Sequence, residues 1–189
     1  MIKTALSLLT TESSWDDLLL TKKALQKIKA ISNQVKNNTT ATGNTKLINT
    51  TNRVSPVLFY GSQACEQITT AALIGKVINK DAYSIDLSKL VSKYIDETEK
   101  NLNVLFDTAE KKDWILFFDE ADALFGKRTD LKDDHDRYAN LDVTYLLQKI
   151  EDHPGLILLA SNKKTTISPA LIRRLRSIIH FPKPKKKKG

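Results

Sequence analysis

Five short β-rich runs, most of them apolar at consecutive positions, alternate with segments of helical spacing from residue 57 onward. The runs are VLFY (57–60), AYSID (82–86), WILFF (114–118), LILLA (156–160) and IIHF (178–181). The helical segments lie around 68–79, 97–111 and 138–151. Strands that are apolar at consecutive positions are covered on both faces, and alternation of strands with helices is typical of parallel sheets. We therefore predict an α/β fold in which a five-stranded, mostly parallel sheet lies between helices.

The residues before the first run predict a helix and a linker. Within 15–36, five apolar residues have roughly helical spacing after a Ser/Asp start, which indicates an amphipathic helix docked on the main domain. They are Leu18, Leu19, Leu25, Ile28 and Ile31. The stretch that follows is rich in Asn and Thr and offers almost nothing to bury. We divide the chain into an N-terminal helical segment (1–36), a linker (37–55), a core domain (56–182) and a Lys-rich tail (183–189).

Most of the basic charge belongs to the tail. The formal net charge is +8, and five lysines lie between 183 and 189, so the rest of the chain carries +3. A lysine run can bind nucleic acid or anionic surfaces through counterion release. Because no interleaved aromatic residues or recognition helix accompany these lysines, nucleic-acid binding is the least favoured function, and we expect a solvated tail or the scar of a truncation.

Cysteine content and hydropathy bound the compartment. Cys65 is the only cysteine, so no internal disulfide can form, and no basic segment followed by an apolar one opens the chain. No apolar run approaches the roughly 20 residues of a membrane span. We expect a cytoplasmic protein without a membrane segment.

His135 and His153 have no second ligand at a suitable spacing, so we predict no metal site around them.

Two carboxylates follow one of the apolar runs directly. In WILFFDEAD, Asp119 and Glu120 stand at the carboxyl end of the predicted strand, where open α/β sheets bind ligands. One carboxylate there can hold Mg²⁺, and the next can orient or deprotonate a water that attacks a phosphate. The simpler alternative is an acidic turn after a buried strand.

Polar and basic residues between the last two runs are further candidates. Asn162 ends LILLASN, and an amide at that point can hydrogen-bond both a phosphate and an attacking water. Arg173, Arg174 and Arg176 precede the final run, and a guanidinium there could act on a phosphate in a neighbouring subunit. Taken alone, such an arginine cluster is more often a solvated surface.

Together these motifs resemble the AAA family of P-loop ATPases over about residues 54–184. The nearest likeness is to the AAA ATPases encoded with contractile phage-tail-like injection systems. It is carried by the segments SKYIDETEKNL, DWILFFDEADALFGKRTD, DRYAN and YLLQKIED. More distantly, the chain is similar to the AAA domains of microtubule-severing and protein-unfolding enzymes. The resemblance implies a P-loop NTPase-like AAA large domain that uses ATP and Mg²⁺ within a ring of like or unlike subunits.

The resemblance also assigns roles. In the Walker B pattern, Asp119 becomes the residue on the Mg²⁺ side and Glu120 the catalytic glutamate, while Asn162 becomes the sensor asparagine. The arginine-finger candidates are Arg173 and Arg174. Tyr94 and Ile95 fall where the family's pore loop grips a polypeptide client, although Tyr94 has the alternative of packing beside a helix start.

The phosphate loop departs from the family pattern G-x-x-x-x-G-K-S/T. Gly61 matches the first glycine, but Glu66, Gln67 and Ile68 replace the second glycine, the lysine and the hydroxyl residue. We interpret Cys65, between these positions, as a small side chain without a chemical role. The pattern predicts weak or absent ATP binding and a degenerate, weakly active or inactive ATPase that acts through ring or partner contacts.

Two further departures and one alternative complete the interpretation. Asp96 replaces the pore-loop glycine, and the chain stops after the last run, so we expect it to lack the family's small helical lid. The alternative function is a working AAA ATPase subunit that couples hydrolysis to protein remodelling in a mixed ring, in which an intact neighbour supplies what this chain lacks.

Overall fold

The computed structural model of the chain describes residues 2–40, 56–92, 94–121, 142–162, 167, 169–175 and 177–183. The predicted linker from 41 onward, His135, Arg176 and the tail from 184 lie outside these residues.

A six-stranded sheet forms the centre of the molecule. Its strands are β1 (Leu6–Leu8), β2 (Val57–Gly61), β3 (Ala82–Ile85), β4 (Ile115–Phe118), β5 (Ile157–Ser161) and β6 (Ser177–Phe181). Their order across the sheet is β1-β3-β4-β5-β2-β6. The five strands from β2 to β6 pair in parallel, which confirms the predicted α/β class and its mostly parallel sheet.

The sheet has one strand more than we predicted. The additional strand β1 lies antiparallel to β3 at the sheet edge, with Leu6 opposite Ile85 and Leu8 opposite Tyr83. A run of three residues, LSL, is too short for its alternation to distinguish a strand from a loop or a helix end. Its strand conformation depends on pairing with β3, which the local sequence does not encode.

Helices cover both faces of the sheet. They are α1 (Ile2–Ala5), α2 (Lys22–Thr40), α3 (Ala64–Ile78), α4 (Ile95–Lys112), α5 (Val143–Asp152) and α6 (Pro169–Arg174). Within the described ranges, 3₁₀ turns lie at Trp15–Asp17 and Leu87–Lys89. Among the residues that the structure describes, no helix is long and apolar enough to cross a membrane.

The N-terminal helix differs from its predicted span. It begins at Lys22 rather than near residue 15, because Trp15–Asp17 form a separate turn. It continues to Thr40, four residues into the segment that we predicted as linker. Its buried residues Ala24, Ile28, Ile31 and Val35 follow helical spacing and join the core, so this helix docks on the sheet as expected.

Alternate residues of the central strands supply two separate core clusters. Leu58, Leu116, Phe118 and Leu159 belong to the first core cluster, which α4 and α5 cover. Phe59, Ile115, Phe117 and Leu158 belong to the second core cluster, which α2 and α3 cover. Successive side chains of a strand point to opposite faces, so consecutive apolar residues fill both clusters at once.

A buried histidine lies just after α5. His153 is 4% exposed, and its ring packs edge-on against Phe106 with the ring centroids 5.6 Å apart. Its Nε2 has no hydrogen-bond partner among the described residues. Burial lowers the pKa of His153 to about 4, and the nearby charge of Asp113 opposes this shift only in part. The imidazole is therefore neutral at pH 7.

This histidine should make stability depend on pH. Between about pH 6.5 and pH 4 the unfolded chain binds a proton that the folded chain excludes, so the free energy of unfolding falls as the pH falls. The loss attributable to His153 is about 2 kcal/mol between pH 7 and pH 5. Urea unfolding at both pH values should show this loss in the natural chain and not in His153→Gln. The matched control is His180→Gln, which replaces an exposed histidine and leaves His153 in place.

Candidate functional site

The carboxyl ends of three neighbouring strands bring the predicted polar residues to one edge of the sheet. Asp119 and Glu120 follow β4, Asn162 follows β5, and Gly61 ends β2. Strand β5 lies between the other two, with Leu159 opposite Phe118 and Ser161 opposite Tyr60. Neighbouring strands are about 5 Å apart, so these groups can act on one small ligand.

The acid pair has an unusual backbone. Glu120 is in the left-handed region at φ 53°, and its N–H donates to Oδ1 of Asp119 over 2.8 Å. Both residues are exposed. A left-handed conformation costs a residue with a side chain about 1 kcal/mol, and such strain is concentrated at functional sites. The hydrogen bond to Asp119 closes the turn after β4, and both carboxylates stay accessible to solvent.

The donor set suits Mg²⁺ only if a ligand or water completes it. Carboxylate oxygens are the ligands that Mg²⁺ prefers. Within the described ranges, no group of three or more His, Cys, Asp or Glu side chains could hold a metal ion. Asp119 and Glu120 would therefore rely on water or phosphate oxygens for the remaining positions.

A third acid at this edge has a structural role. Asp86 follows β3 and accepts hydrogen bonds from the backbone N–H and the hydroxyl of Ser88, at 3.2 and 2.5 Å. Its carboxylate also pairs with Lys89 at 3.0 Å. The hydrogen bonds to Ser88 hold the pKa of Asp86 below its ordinary value. These contacts stabilise the turn after β3, so Asp86 is not a ligand candidate.

Gly61 stands at a close approach of two strands. Its φ is 140°, and a Cβ at this position would lie 2.0 Å from the backbone oxygen of Phe181, its partner in β6. Only glycine accommodates both the conformation and the contact.

Helix α3 begins only three residues after Gly61. Ser62 and Gln63 form the entire connection, and the N–H of Gln67 donates to the carbonyl of Gln63 over 3.1 Å. Glu66, Gln67 and Ile68 consequently lie in the first turns of the helix. The sequence predicted a helix start near residue 68, so the observed helix extends through most of the segment that a phosphate loop would occupy.

The three replaced positions are all engaged within the chain. The buried Gln67 donates from Nε2 to the carbonyl of Gly61 over 3.0 Å. Ile68 is half-buried and packs on the second core cluster. Glu66 accepts the N–H of Leu19 at Oε1 over 3.3 Å, and its buried Oε2 has no partner among the described residues. The carboxylate of Glu66, the residue that replaces the second glycine of the phosphate loop, thus contacts the N-terminal segment.

The remaining predicted residues lie on helix ends. Tyr94 precedes α4 and is 68% exposed, and Ile95 begins the helix and is 54% exposed. Arg173 and Arg174 are exposed at the end of α6, where Arg174 pairs with Glu151 of α5. The sequence offered no signal for the contact between Glu66 and residue 19, because its donor is a backbone N–H distant in the chain.

The parallel sheet and its polar carboxyl edge define an α/β domain of the P-loop NTPase type. The model of the ATPase family associated with various cellular activities (AAA) matches residues 57–183. The chain therefore belongs to the AAA family, which binds ATP and Mg²⁺ in general.

Curated relatives agree with this membership. An uncharacterized AAA family ATPase, y4kL of Sinorhizobium fredii, is 29% identical over 131 residues, which is 69% of this chain and 39% of the relative. The proteasome-activating nucleotidase of Pyrococcus furiosus is 33% identical over 135 residues, which is 68% of this chain and 34% of the relative. The chain thus spans little more than a third of the length of these relatives.

Solved structures share the fold. The crystal structure of the FIGL-1 AAA domain superposes with a TM-score of 0.70 at 22% identity, covering 97% of this chain and 60% of that one. A chain of the HORMA:CdnC:Trip13 complex of E. coli MS115-1 superposes with a TM-score of 0.61 at 19% identity, covering 89% of this chain and 64% of that one.

Substitution of Gly61 should destabilise the fold whether or not a ligand binds. Gly61→Ala should lower the free energy of unfolding by about 3 kcal/mol, through backbone strain and the displacement of β6. Urea unfolding measures the loss, with the exposed neighbour substitution Ser62→Ala as the control. A loss for Gly61→Ala no larger than that of the control would mean that β6 can move away from β2 without cost.

Proposed function

We propose that this chain carries an AAA-type domain that binds ATP weakly or not at all and acts through contacts with ring neighbours or partners. The observation that carries the proposal is that the side chains of Glu66, Gln67 and Ile68 all make contacts within the chain. These contacts are with the N–H of Leu19, the carbonyl of Gly61 and the second core cluster, respectively. None of these side chains is organised to receive a phosphate.

Each replacement removes one physical requirement of a phosphate loop. The second glycine lets backbone N–H groups approach the phosphates, the lysine neutralises their charge, and the hydroxyl ligates Mg²⁺. Glu66 adds a negative charge instead, Gln67 brings no cation, and Ile68 has no ligand atom. Loss of a single preorganised charge interaction can cost about 3 kcal/mol, and these losses occur together.

The two halves of the candidate site differ in their fit to MgATP. The carboxylates of Asp119 and Glu120 suit a magnesium ion, and Asn162 suits a phosphate or a water. The first turn of α3 does not suit the phosphates. We therefore assign no hydrolysis step to this chain alone.

Exposed side chains at the helix ends support a role in contacts. Tyr94 and Ile95 form an exposed apolar surface at the start of α4, which suits an extended polypeptide client. Arg173 is exposed at the end of α6.

We include in this proposal the division into core, N-terminal segment and tail, and the affiliation with contractile injection systems.

A calorimetric titration with MgATP tests the loop. The chain without residues 183–189 lacks the lysines that attract triphosphate nonspecifically. It should bind MgATP weakly or not at all, because its loop has no phosphate-binding residues. The same chain with Glu66→Gly, Gln67→Lys and Ile68→Thr should bind at micromolar levels. A difference of about 3 kcal/mol corresponds to more than about 100-fold in Kd.

Two controls make the titration decisive. Adding Asp119→Asn to the restored chain should weaken binding of MgATP more than binding of ATP in EDTA, which verifies that the nucleotide occupies the candidate site. Micromolar binding by the natural loop would overturn the proposal.

The exposure of Arg173 favours a second candidate, an arginine donor to a competent neighbour. The loop-restored chain carrying Arg173→Ala can serve as that neighbour, because it then supplies no arginine of its own at this position. If the arginine acts across an interface, adding the natural chain should raise the ATPase rate of the restored chain, while natural chain carrying Arg173→Ala should not. Equal stimulation by both versions would exclude a role for this arginine.

A further inference from the structure

The segment from residue 9 to residue 21, here called the strap, runs along α3 between β1 and α2. Near its start, Nζ of Lys76, in the last turn of α3, donates to the carbonyl of Thr11. Near its end, the N–H of Leu19 donates to Glu66 in the first turn of α3. The strap therefore spans the helix from its C-terminal end to its N-terminal end.

The strap has a defined internal structure. Asp17 accepts hydrogen bonds from the N–H and the hydroxyl of Ser14, at 2.7 and 2.9 Å. These bonds hold the pKa of Asp17 below its ordinary value. Trp15 and Leu20 are half-buried and pack on the second core cluster, as does Ile68 of α3. The strap is therefore held by packing in its middle and by hydrogen bonds at both ends.

The position of Glu66 calls for a physical explanation. A carboxylate oxygen that is buried without a hydrogen bond destabilises a fold, because it loses its hydration and gains no partner in exchange. Oε2 of Glu66 is such an atom among the described residues, whereas Oε1 receives the N–H of Leu19. The compensating feature is this contact, because it joins the strap to the turn where α3 begins.

We propose that the strap holds the first turn of α3 in place through the hydrogen bond from the N–H of Leu19 to Glu66. This contact is here called the latch. When closed, the strap holds the first turn of α3 from the side of the second core cluster, an ordering that a bound phosphate provides in an ordinary phosphate loop. When the contact between residue 19 and Glu66 opens, this turn loses its external support. Glu66 is thus a positioning residue for α3. Its side chain has a structural role, which is to connect the start of this helix to the strap.

Hydrogen–deuterium exchange on the full chain tests the latch with two pairs of matched variants. Leu19→Pro removes the N–H donor, and Leu18 before it, at φ −89° and ψ 137°, already has a conformation that proline favours in its predecessor. Leu19→Ala keeps the N–H donor and removes a side chain that is 53% exposed, so little packing is lost. Glu66→Ala removes the acceptor, and Glu66→Gln keeps an acceptor without the charge.

The expected result is specific to two peptides. Leu19→Pro and Glu66→Ala should each speed exchange about fivefold, the effect of one ordinary hydrogen bond. The faster exchange is expected in the strap and at the first hydrogen-bonded N–H groups of α3, those of residues 67 and 68. The double variant should add nothing to either single variant, because both break the same contact. Leu19→Ala and Glu66→Gln should exchange as the natural chain does. Unchanged exchange in β4 and β5 verifies that each variant is folded.

Two outcomes would overturn the latch. If Leu19→Pro behaved as Leu19→Ala, the hydrogen bond would not hold the strap. If the strap loosened while residues 67 and 68 kept their protection, the strap would not support the first turn of α3.

Discussion

Burial of the central strands on both faces determines where everything polar in this domain can lie. The backbone N–H and C=O groups of β4 and β5 have no access to water, so neighbouring strands must satisfy them, and every residue along these strands is buried. Charged groups are therefore excluded from the strands and appear where the strands end. Asp119, Asn162 and the turn after Gly61 share one edge for this reason.

The same constraint explains how a site can change without loss of the fold. The first turn of α3 contributes little to either core cluster, whereas the later residues Ala71 and Ile74 are fully buried in the second. Substitutions at 66, 67 and 68 can therefore alter the chemistry of the edge while the helix stays anchored further along. The polar contacts that these side chains now make are local additions to a scaffold that the core specifies.

Much of the architecture could be predicted from the sequence, because most of the strands are apolar at consecutive positions and few alternatives bury such runs. The position of Asp119 and Asn162 at one edge follows from the parallel topology. Strand β1 and the strap could not be predicted, since three residues carry no usable period and the strap depends on packing. The partner of Glu66 is a backbone N–H 47 residues away, and every non-proline residue has such a donor.

Gly61 bears on how such chains are interpreted from motifs. Its close approach to Phe181 requires a glycine for the packing of β2 against β6, with no reference to phosphate. A motif search that credits this glycine to nucleotide binding therefore counts a requirement of the sheet as a requirement of the ligand. In a lineage that had stopped using ATP, selection for a folded sheet alone would still preserve it. The positions of the phosphate loop that indicate nucleotide binding are those whose side chains or N–H groups contact the phosphate.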